Sequence, residues 1–231
     1  MDGLPAQMDL ESGKDRDSLH KRRRHSRGLA TRARILSVAE RLFALSGLDG
    51  VSLREITSEA QVDLALVNYH FTSKEQLYRA IFARRARIIS RARVRALREK
   101  GPDPTIEDVV DAFIEPLIKR LRMGDLGWGH YAAMVGQISY SKKFLDLQHE
   151  LLDPTAQIFV EAFRRLDPEH DVAMSYWAYA FTLGSLLQLL VGMDRLKTMS
   201  MNSGGVDDLD RAYRRLRRYA AGGVQAALLD V

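Results

Sequence analysis

Cysteine is absent from this chain of 231 residues, and the features of secreted and membrane proteins are absent with it. A chain without cysteine has no disulfide framework, no thiolate zinc site and no cysteine nucleophile, and it fits a reducing compartment. No uninterrupted apolar run approaches the roughly 18 residues of a membrane-spanning helix, and the N-terminus lacks the apolar core of a signal peptide. We therefore expect a cytoplasmic protein without a membrane partner.

Motifs of the common enzyme classes are also missing. The sequence has no H-E-x-x-H zinc-protease motif, no G-x-S-x-G nucleophile motif and no glycine-rich phosphate-binding loop. Its six histidines are scattered without the spacing of metal ligands. We therefore predict that the chain is not an enzyme and that it uses no metal and no cofactor.

Helix-forming sequence is what the chain has in quantity. Hydrophobic residues make up 46% of it and charged residues 28%, enough to bury one sizeable core. Apolar residues recur at three- and four-residue spacing, and no alternating strand pattern follows residue 101. Pro116 lies inside one predicted helix, which it should kink because it removes a backbone donor. The sequence predicts an all-α protein.

Three predicted helix N-caps lie within one short stretch of the chain. Ser52 and Glu55 have the spacing of a capping box, which starts a short amphipathic helix. Asp63 is a good N-cap for a second short helix, and Thr72 or Ser73 begins a longer third one. Two short helices joined by a tight turn form a helix-turn-helix, which predicts DNA binding.

A Tyr-x-Phe sequence shortly before Ser-Lys-Glu is the most distinctive motif of this region. The motif and the helices around it resemble the TetR family of bacterial one-component transcriptional regulators. Gln61 departs from the family, which commonly has glycine in this turn, and it costs about 1 kcal/mol if the backbone needs a positive φ there. The resemblance rests on residues 31–43, Gly47, residues 52–56, residues 60–62, residues 68–71, residues 73–75, Leu77 and Tyr78.

The resemblance implies an N-terminal three-helix DNA-binding module followed by a larger helical ligand-binding and dimerisation domain. On this basis we divide the chain into a disordered tail and basic arm (residues 1–28), a DNA-binding domain (29–78) and a ligand-binding and dimerisation domain (79–231). It further implies a homodimeric, nucleoid-associated repressor that a small-molecule effector releases from a palindromic double-stranded operator. A transcriptional activator of the same family and a sequence-indifferent DNA-binding scaffold stay open as alternatives.

Matching the family's motif onto this chain also assigns residues that read base edges. Arg54, Ala65 and Asn68 are the candidates. Arginine can bond guanine with two hydrogen bonds, asparagine can do the same with adenine, and alanine can contact a thymine methyl group. Leu64 lies on the same outward side of the second short helix.

A second group of residues in the motif is predicted to hold the DNA backbone. Tyr69, His70 and Lys74 are candidates for phosphate contacts, and the hydroxyl of Ser52 is a further one. Two of them have a structural alternative, because Tyr69 can simply pack on the module and His70 can cap its helix.

A basic run precedes the first predicted helix. The chain has a net charge of +5, and no acid interrupts residues 20–27. We interpret this arm as a phosphate-tracking or minor-groove segment, with a solvated charge run as the alternative. Its candidate DNA contacts are Lys21, Arg22, Arg23, Arg24 and Arg27.

Arginines also form a stripe along the helix that begins near Ser73. We expect this stripe to be a solvated face that pairs with Glu107, Asp108 and Asp111, with an anionic effector such as a coenzyme-A thioester as the alternative. The stripe consists of Arg84, Arg87, Arg91, Arg95 and Arg98.

Aromatic and aliphatic residues after residue 101 could line an effector cavity, or they could be ordinary core. Few charges accompany them, so they indicate an apolar or acyl-type effector, with His130, Gln137 and Gln188 as candidate polar anchors. The predicted lining comprises Phe113, Leu117, Trp128, Tyr131, Met134, Ile138, Phe159, Phe163, Trp177 and Phe181.

The last two predicted long helices are candidates for the dimer interface. Small residues in the first of them would let a second helix approach closely, and two helices from each subunit can form a four-helix interface. The predicted interface comprises Trp177, Ala180, Gly184, Leu187, Val191, Leu209, Tyr213 and Leu216.

Overall fold

The computed structural model describes residues 9–169, 171–201 and 208–228, with side chains described for Ser26 and from Gly28 onward. Within these ranges the chain forms eleven α-helices, one short 3-10 turn at Lys142–Phe144 and no strand, which confirms the all-α prediction. The helices are α1 (Asp9–Ser46), α2 (Leu53–Ala60), α3 (Leu64–His70), α4 (Lys74–Glu99), α5 (Ile106–Arg122), α6 (Leu126–Ser139), α7 (Leu145–Leu151), α8 (Asp153–Leu166), α9 (Val172–Val191), α10 (Met193–Met199) and α11 (Leu209–Leu228).

The three predicted N-caps are confirmed in the DNA-binding region. Ser52 Oγ accepts from the Glu55 amide at 3.2 Å, and the Glu55 carboxylate accepts from the Ser52 amide at 2.7 Å. Asp63 caps α3, and Ser73 caps α4 by accepting from the amide of Gln76 at 3.1 Å. Because capping depends on residues only two or three positions apart, these helix starts are encoded locally.

The turn between α2 and α3 depends on a residue in the left-handed region. Gln61 has φ 50° and ψ 51°, a conformation that costs a residue with a Cβ about 1 kcal/mol relative to glycine. Its amide donates to the Ser58 carbonyl, and its own carbonyl accepts from Arg34 of α1 at 3.3 Å. These bonds hold the turn in place.

One apolar core joins the DNA-binding helices to the rest of the molecule. Ile35 and Phe43 of α1, Ile56 of α2 and Val67 of α3 are fully buried in a cluster that continues through α4 into α6 and α7. A second cluster packs α5, α8, α9 and α11 around Phe113. Since α4 contributes to the first cluster and contacts α5 and α8, it bridges the two.

Two prolines lie within helices of the second half of the chain. Pro116 is buried in the middle of α5, which nevertheless continues to Arg122. Pro154 stands in the first turn of α8, where a missing N–H costs nothing, and it restarts the helix after α7.

The N-terminal region differs from the expectation of disorder. The backbone of α1 is helical from Asp9, so residues 9–28 extend the first helix of the DNA-binding region. The predicted arm residues Lys21, Arg22, Arg23, Arg24 and Arg27 lie outside the residues whose side chains are described. Their contact with DNA stays a prediction.

Helix α9 is the most apolar long helix among those described. By length and composition alone it could cross a membrane. A core helix of a soluble protein passes the same test, and α9 packs against α6, α8 and α11. Its remaining side is exposed and carries Trp177 and Phe181.

Candidate nucleic-acid interface and ligand cavity

Helix α3 is anchored on one side and open on the other. Val67 and the following Phe71 are buried, whereas Ala65 and Asn68 are exposed and Tyr69 is 83% exposed. Leu64 and Leu66 are also exposed, whereas leucines of a helix that packs in a core are normally buried. A short helix held by so few side chains presents most of its surface to a partner, as a recognition helix does in the major groove.

The predicted base-reading residues lie on this open surface. Arg54 is exposed on α2, and within the described residues its guanidinium has no hydrogen-bond or ion-pair partner. Asn68 is likewise exposed and without a side-chain partner there. Both side chains keep their donors available for base edges.

Tyr69 and His70 lie at the end of α3. Their rings contact each other edge to face, with centroids 5.1 Å apart. The high exposure of Tyr69 argues against simple packing as its role. The C-cap position belongs to Phe71, whose amide donates to the Val67 carbonyl, so His70 sits in the last turn instead of capping it.

Lys74 and Ser52 both make structural bonds, of which the sequence suggested only the capping box of Ser52. The Lys74 ammonium donates to the Val51 carbonyl at 2.9 Å and so fixes the start of α4 beside the start of α2. Ser52 uses its oxygen in the capping box. An ammonium has three donors and a hydroxyl can donate while accepting, so both groups retain capacity for a phosphate.

A buried charged cluster, which sequence reasoning missed, ties α4 to α1 and α6. The Arg85 guanidinium bonds both Glu40 carboxylate oxygens, at 2.5 and 2.9 Å, and the Asp125 carboxylate at 3.1 Å. The guanidinium carbon (Cζ) of Arg85 lies 4.6 Å from the centre of the Trp128 ring. Burial opposes the charge on Arg85, but the bonds to Glu40 and Asp125 outweigh it and raise the guanidinium pKa.

The position of Glu40 was the available sequence signal for this cluster. It stands four residues after Leu36 and four before Ala44, on the buried side of α1. An acid on a buried helix face needs a cation. The sequence alone does not show which of the many arginines of α4 pairs with Glu40, because the pairing depends on how α1 and α4 pack together.

A small cavity lies between α4, α5, α6, α8 and α9. Its volume is about 20 Å³, roughly the space of one water molecule. Three of the ten predicted lining residues are in its wall: Phe113, Leu117 and Tyr131. The other lining side chains are Ser90, Arg93, Val135, Ser139, Leu152, Thr155, Ala156, Tyr179, Leu183, Leu186, Leu187 and Leu190.

The other seven predicted lining residues are corrected by the structure. Trp128, Met134 and Ile138 are buried in the first core cluster, and Phe159 and Phe163 in the second. Helical spacing cannot separate a core position from a cavity wall, because both are buried. Trp177 and Phe181 are 54% and 57% exposed, and their rings stack on each other on the outside of α9.

The predicted polar anchors also lie away from the cavity. Gln137 donates to the carbonyls of Phe43 and Ala44, which joins α6 to α1. His130 is partly buried, which lowers its pKa, and Gln188 is exposed.

The arginine stripe pairs with acids other than those we expected. Arg84 bonds Glu40, Arg87 faces Glu150 at 3.6 Å, and Arg95 bonds Glu99. Glu107 does not pair with the stripe, and Asp108 and Asp111 pair instead with Lys100, at 3.0 and 3.5 Å. The prediction of a solvated face holds for the whole stripe, because all five of its arginines are exposed.

The predicted dimer interface divides into two sets. Trp177, Ala180 and Val191 are exposed and Gly184 is partly exposed, together forming one side of α9. A groove of about 560 Å³ separates this side from Tyr219 of α11. Leu187, Tyr213 and Leu216 are corrected, because they are buried within the protomer. Leu209 is only partly buried against the second core cluster, and its place in the interface stays a prediction.

No metal site accompanies these surfaces in the described ranges, where no three histidine or acidic side chains group together.

Two family models match the sequence in chain order. The model for bacterial regulatory proteins of the tetR family matches residues 35–81, and that for the tetracyclin repressor-like C-terminal domain matches residues 111–223. No curated protein sequence is significantly similar to this chain.

Solved structures with low sequence identity share the fold. A TetR-family transcription regulator from Shewanella sp. PV-4 is 18% identical with a TM-score of 0.56, covering 86% of this chain and 95% of its own. A transcriptional regulator from Aquifex aeolicus VF5 is 21% identical with a TM-score of 0.52, covering 84% and 98%. FadR from Bacillus subtilis, in complex with stearoyl-CoA, is 14% identical with a TM-score of 0.55, covering 86% and 98%.

Regulators of this kind are soluble, cytoplasmic DNA-binding proteins and not enzymes. With one model on the helix-turn-helix and the other on the bundle that carries the cavity, the chain belongs to the TetR family of bacterial transcriptional regulators.

Proposed function

We propose that the protein is a repressor whose dimer binds a palindromic operator and releases it when a small molecule enters the helical domain. The observation that carries this proposal is the open surface of α3, where Ala65, Asn68 and Tyr69 are exposed while Val67 and Phe71 hold the helix in place. Arg54 of α2 extends the same set of unpaired donors. Such a surface suits direct reading of bases.

The exposed side of α9 supports dimerisation. Trp177 and Phe181 form a stacked aromatic pair in water, which is unfavourable for a monomer. The small residues Ala180 and Gly184 allow a partner helix to approach closely. A two-fold dimer through α9 and α11 would place two α3 helices in successive major grooves, about 34 Å apart.

Helix α4 provides the connection between the two functions. It begins at Lys74 in the DNA-binding region, carries Arg85 at its middle and reaches the cavity with Ser90 and Arg93. A ligand larger than one water molecule must displace a wall of the cavity, because packed interiors cannot absorb extra volume. Displacement of α4 would alter the spacing of the recognition helices and select the state with low operator affinity.

Selection of bound DNA from a random library tests this function. We expect a palindromic consensus whose half-sites lie one helical turn, or a multiple of it, apart. A consensus without two-fold symmetry would contradict the dimeric operator complex, and enrichment of no sequence would favour a scaffold. A reporter gene placed behind the selected palindrome would then distinguish repression from activation, which share this interface.

A further inference from the structure

The wall of the cavity carries a cation that lacks an anion. Arg93 of α4 donates from Nε to the Phe113 carbonyl at 2.8 Å, and its guanidinium carbon lies 3.7 Å from the centre of the Phe113 ring. Within the described ranges no carboxylate pairs with it, and its two terminal nitrogens make no hydrogen bond there. Arg85, two turns earlier on the same helix, bonds two carboxylates.

Burial of such a group is costly unless a partner compensates it. Arg93 is partly buried, and a guanidinium that is partly withdrawn from water needs protein acceptors in place of the lost water, of which one carbonyl and one aromatic ring supply only part. This environment is unfavourable for the charged form, since burial lowers the pKa of Arg93 below the ordinary arginine value. A ligand with an anionic group would supply the missing partner.

A second polar group of the same cavity also lacks a partner. The hydroxyl oxygen of Ser139 on α6 is buried and makes no hydrogen bond with the described residues. Most buried hydroxyls in proteins are hydrogen-bonded, so this one is an exception that a ligand atom can explain. Arg93 and Ser139 both belong to the lining of the cavity.

The remaining wall is mostly aliphatic and aromatic. Such a lining accepts an apolar chain or ring and offers no compensation for a second charge. The apolar lining consists of Phe113, Leu117, Val135, Leu152, Ala156, Leu183, Leu186, Leu187 and Leu190. A ligand that satisfies all of these features has one anionic end and one apolar body.

We propose that the effector is an amphiphilic monocarboxylate whose carboxylate binds Arg93 and whose apolar part occupies the leucine-lined space. The planar fork of a guanidinium matches a carboxylate with two parallel hydrogen bonds, which a neutral head group cannot form. This inference rests on the proposed ligand-controlled repressor, because it names the class of molecule that would open the cavity.

Calorimetric titration of the full-length protein without DNA tests the inference. The probes are hexanoate, octanoate, decanoate and dodecanoate, each compared with the primary alcohol of the same length. We expect saturable binding of at least one carboxylate, at least about tenfold tighter than its alcohol, as a charge-assisted pair provides. Arg93→Gln should weaken carboxylate binding by the same factor and leave alcohol binding unchanged.

Arg91→Gln is the matched control, since Arg91 lies two residues away on α4 and is exposed. This variant should bind the carboxylate as the parent does. If Arg93→Gln fails to fold, as judged by circular dichroism, the comparison of carboxylate and alcohol in the parent decides alone.

Decanoyl-coenzyme A is titrated as a further probe. Four results would overturn the inference: no carboxylate binds, carboxylate and alcohol bind equally, a folded Arg93→Gln protein binds the carboxylate as tightly as the parent does, or decanoyl-coenzyme A binds while decanoate does not. Operator binding, measured separately, keeps the two proposals distinct. A parent protein that binds its operator but no carboxylate retains its proposed function and loses only the assigned effector class.

Discussion

At the scale of single residues, we propose different roles in DNA binding for Asn68 and Lys74. Asn68 projects from α3 without a partner among the described residues, so its side chain contributes little to folding. Lys74 bonds the Val51 carbonyl and therefore links α4 to the start of α2. The first residue can discriminate between bases, whereas the second can affect every DNA sequence alike.

Asn68→Ala should change the preference at one base position of each half-site by about 1 to 3 kcal/mol and leave the melting temperature unaltered. Fluorescence anisotropy with operators substituted at single positions measures the preference. Equal loss of affinity for every operator variant would remove Asn68 from base reading.

Lys74→Ala should weaken binding to all sequences by a similar factor and lower the free energy of unfolding by about 1 kcal/mol, because the bond to Val51 is removed. Lys142→Ala, in the 3-10 turn at Lys142–Phe144, is the control and should change neither quantity. A Lys74 variant with changed base preference would contradict a backbone role.

The buried cluster around Arg85 can be disrupted through a neighbouring glycine. A Cβ at Gly127 would lie 1.7 Å from Arg85 Nη2 and 2.8 Å from a Glu40 carboxylate oxygen, whereas a Cβ at Gly129 meets no atom within 4 Å. Gly127→Ala should therefore lower the free energy of unfolding by about 3 kcal/mol, as breaking a buried ion pair does. Gly129→Ala should raise it by about 0.5 to 1 kcal/mol through helix propensity.

Chemical denaturation of the two variants measures the free energy of unfolding, which should fall for Gly127→Ala and rise for Gly129→Ala. Equal effects of both alanines would show that the cluster does not hold α4 against α1 and α6.

At the scale of helices, the sequence predicted the features that depend on neighbouring residues and missed those that depend on how distant helices pack. The starts of α2, α3 and α4 were predictable because Ser52, Asp63 and Ser73 cap helices through neighbours a few residues away. The lining of the cavity was not, because it depends on which faces of five helices meet. Arg93 could not be singled out from the sequence, since it is one of many arginines in α4 and does not belong to the predicted stripe.

The dimer face shows the same division. The apolar spacing of α9 and α11 predicted one pairing face on each helix. It could not decide that Leu187 and Leu216 turn inward while Trp177 and Phe181 turn outward. That assignment requires the positions of α6 and α8, which pack against α9, and of α5, which packs against α11.

Phe181→Asp should convert the dimer to a monomer, because it places a charge in a face that the proposed partner helix would desolvate. Light scattering coupled to size exclusion measures the mass. Tyr140→Asp, an exposed aromatic position at the end of α6, is the control and should remain dimeric. A dimeric Phe181→Asp protein would place the interface elsewhere.

At the scale of the whole molecule, we expect the charge distribution to affect how DNA is bound. The chain carries +5 overall, and residues 20–27, in the N-terminal half of α1, contain no acid. Replacing Lys21, Arg22, Arg23, Arg24 and Arg27 by glutamine should weaken operator binding. It should also reduce the dependence of log affinity on log salt concentration by up to about 0.9 for each phosphate that the arm no longer neutralises. An unchanged salt slope would show that the basic arm stays in solvent.

The central claim is that two copies of α3 read two half-sites of one operator. Its most direct test is the affinity of the full-length protein for the selected palindrome and for the same DNA with one half-site scrambled, in excess nonspecific DNA. We predict that the palindrome stays bound, with an advantage over nonspecific DNA of at least about 10³, and that the scrambled site loses most of this advantage. Equal affinity for both DNAs, or displacement by competitor in proportion to its length, would contradict the claim.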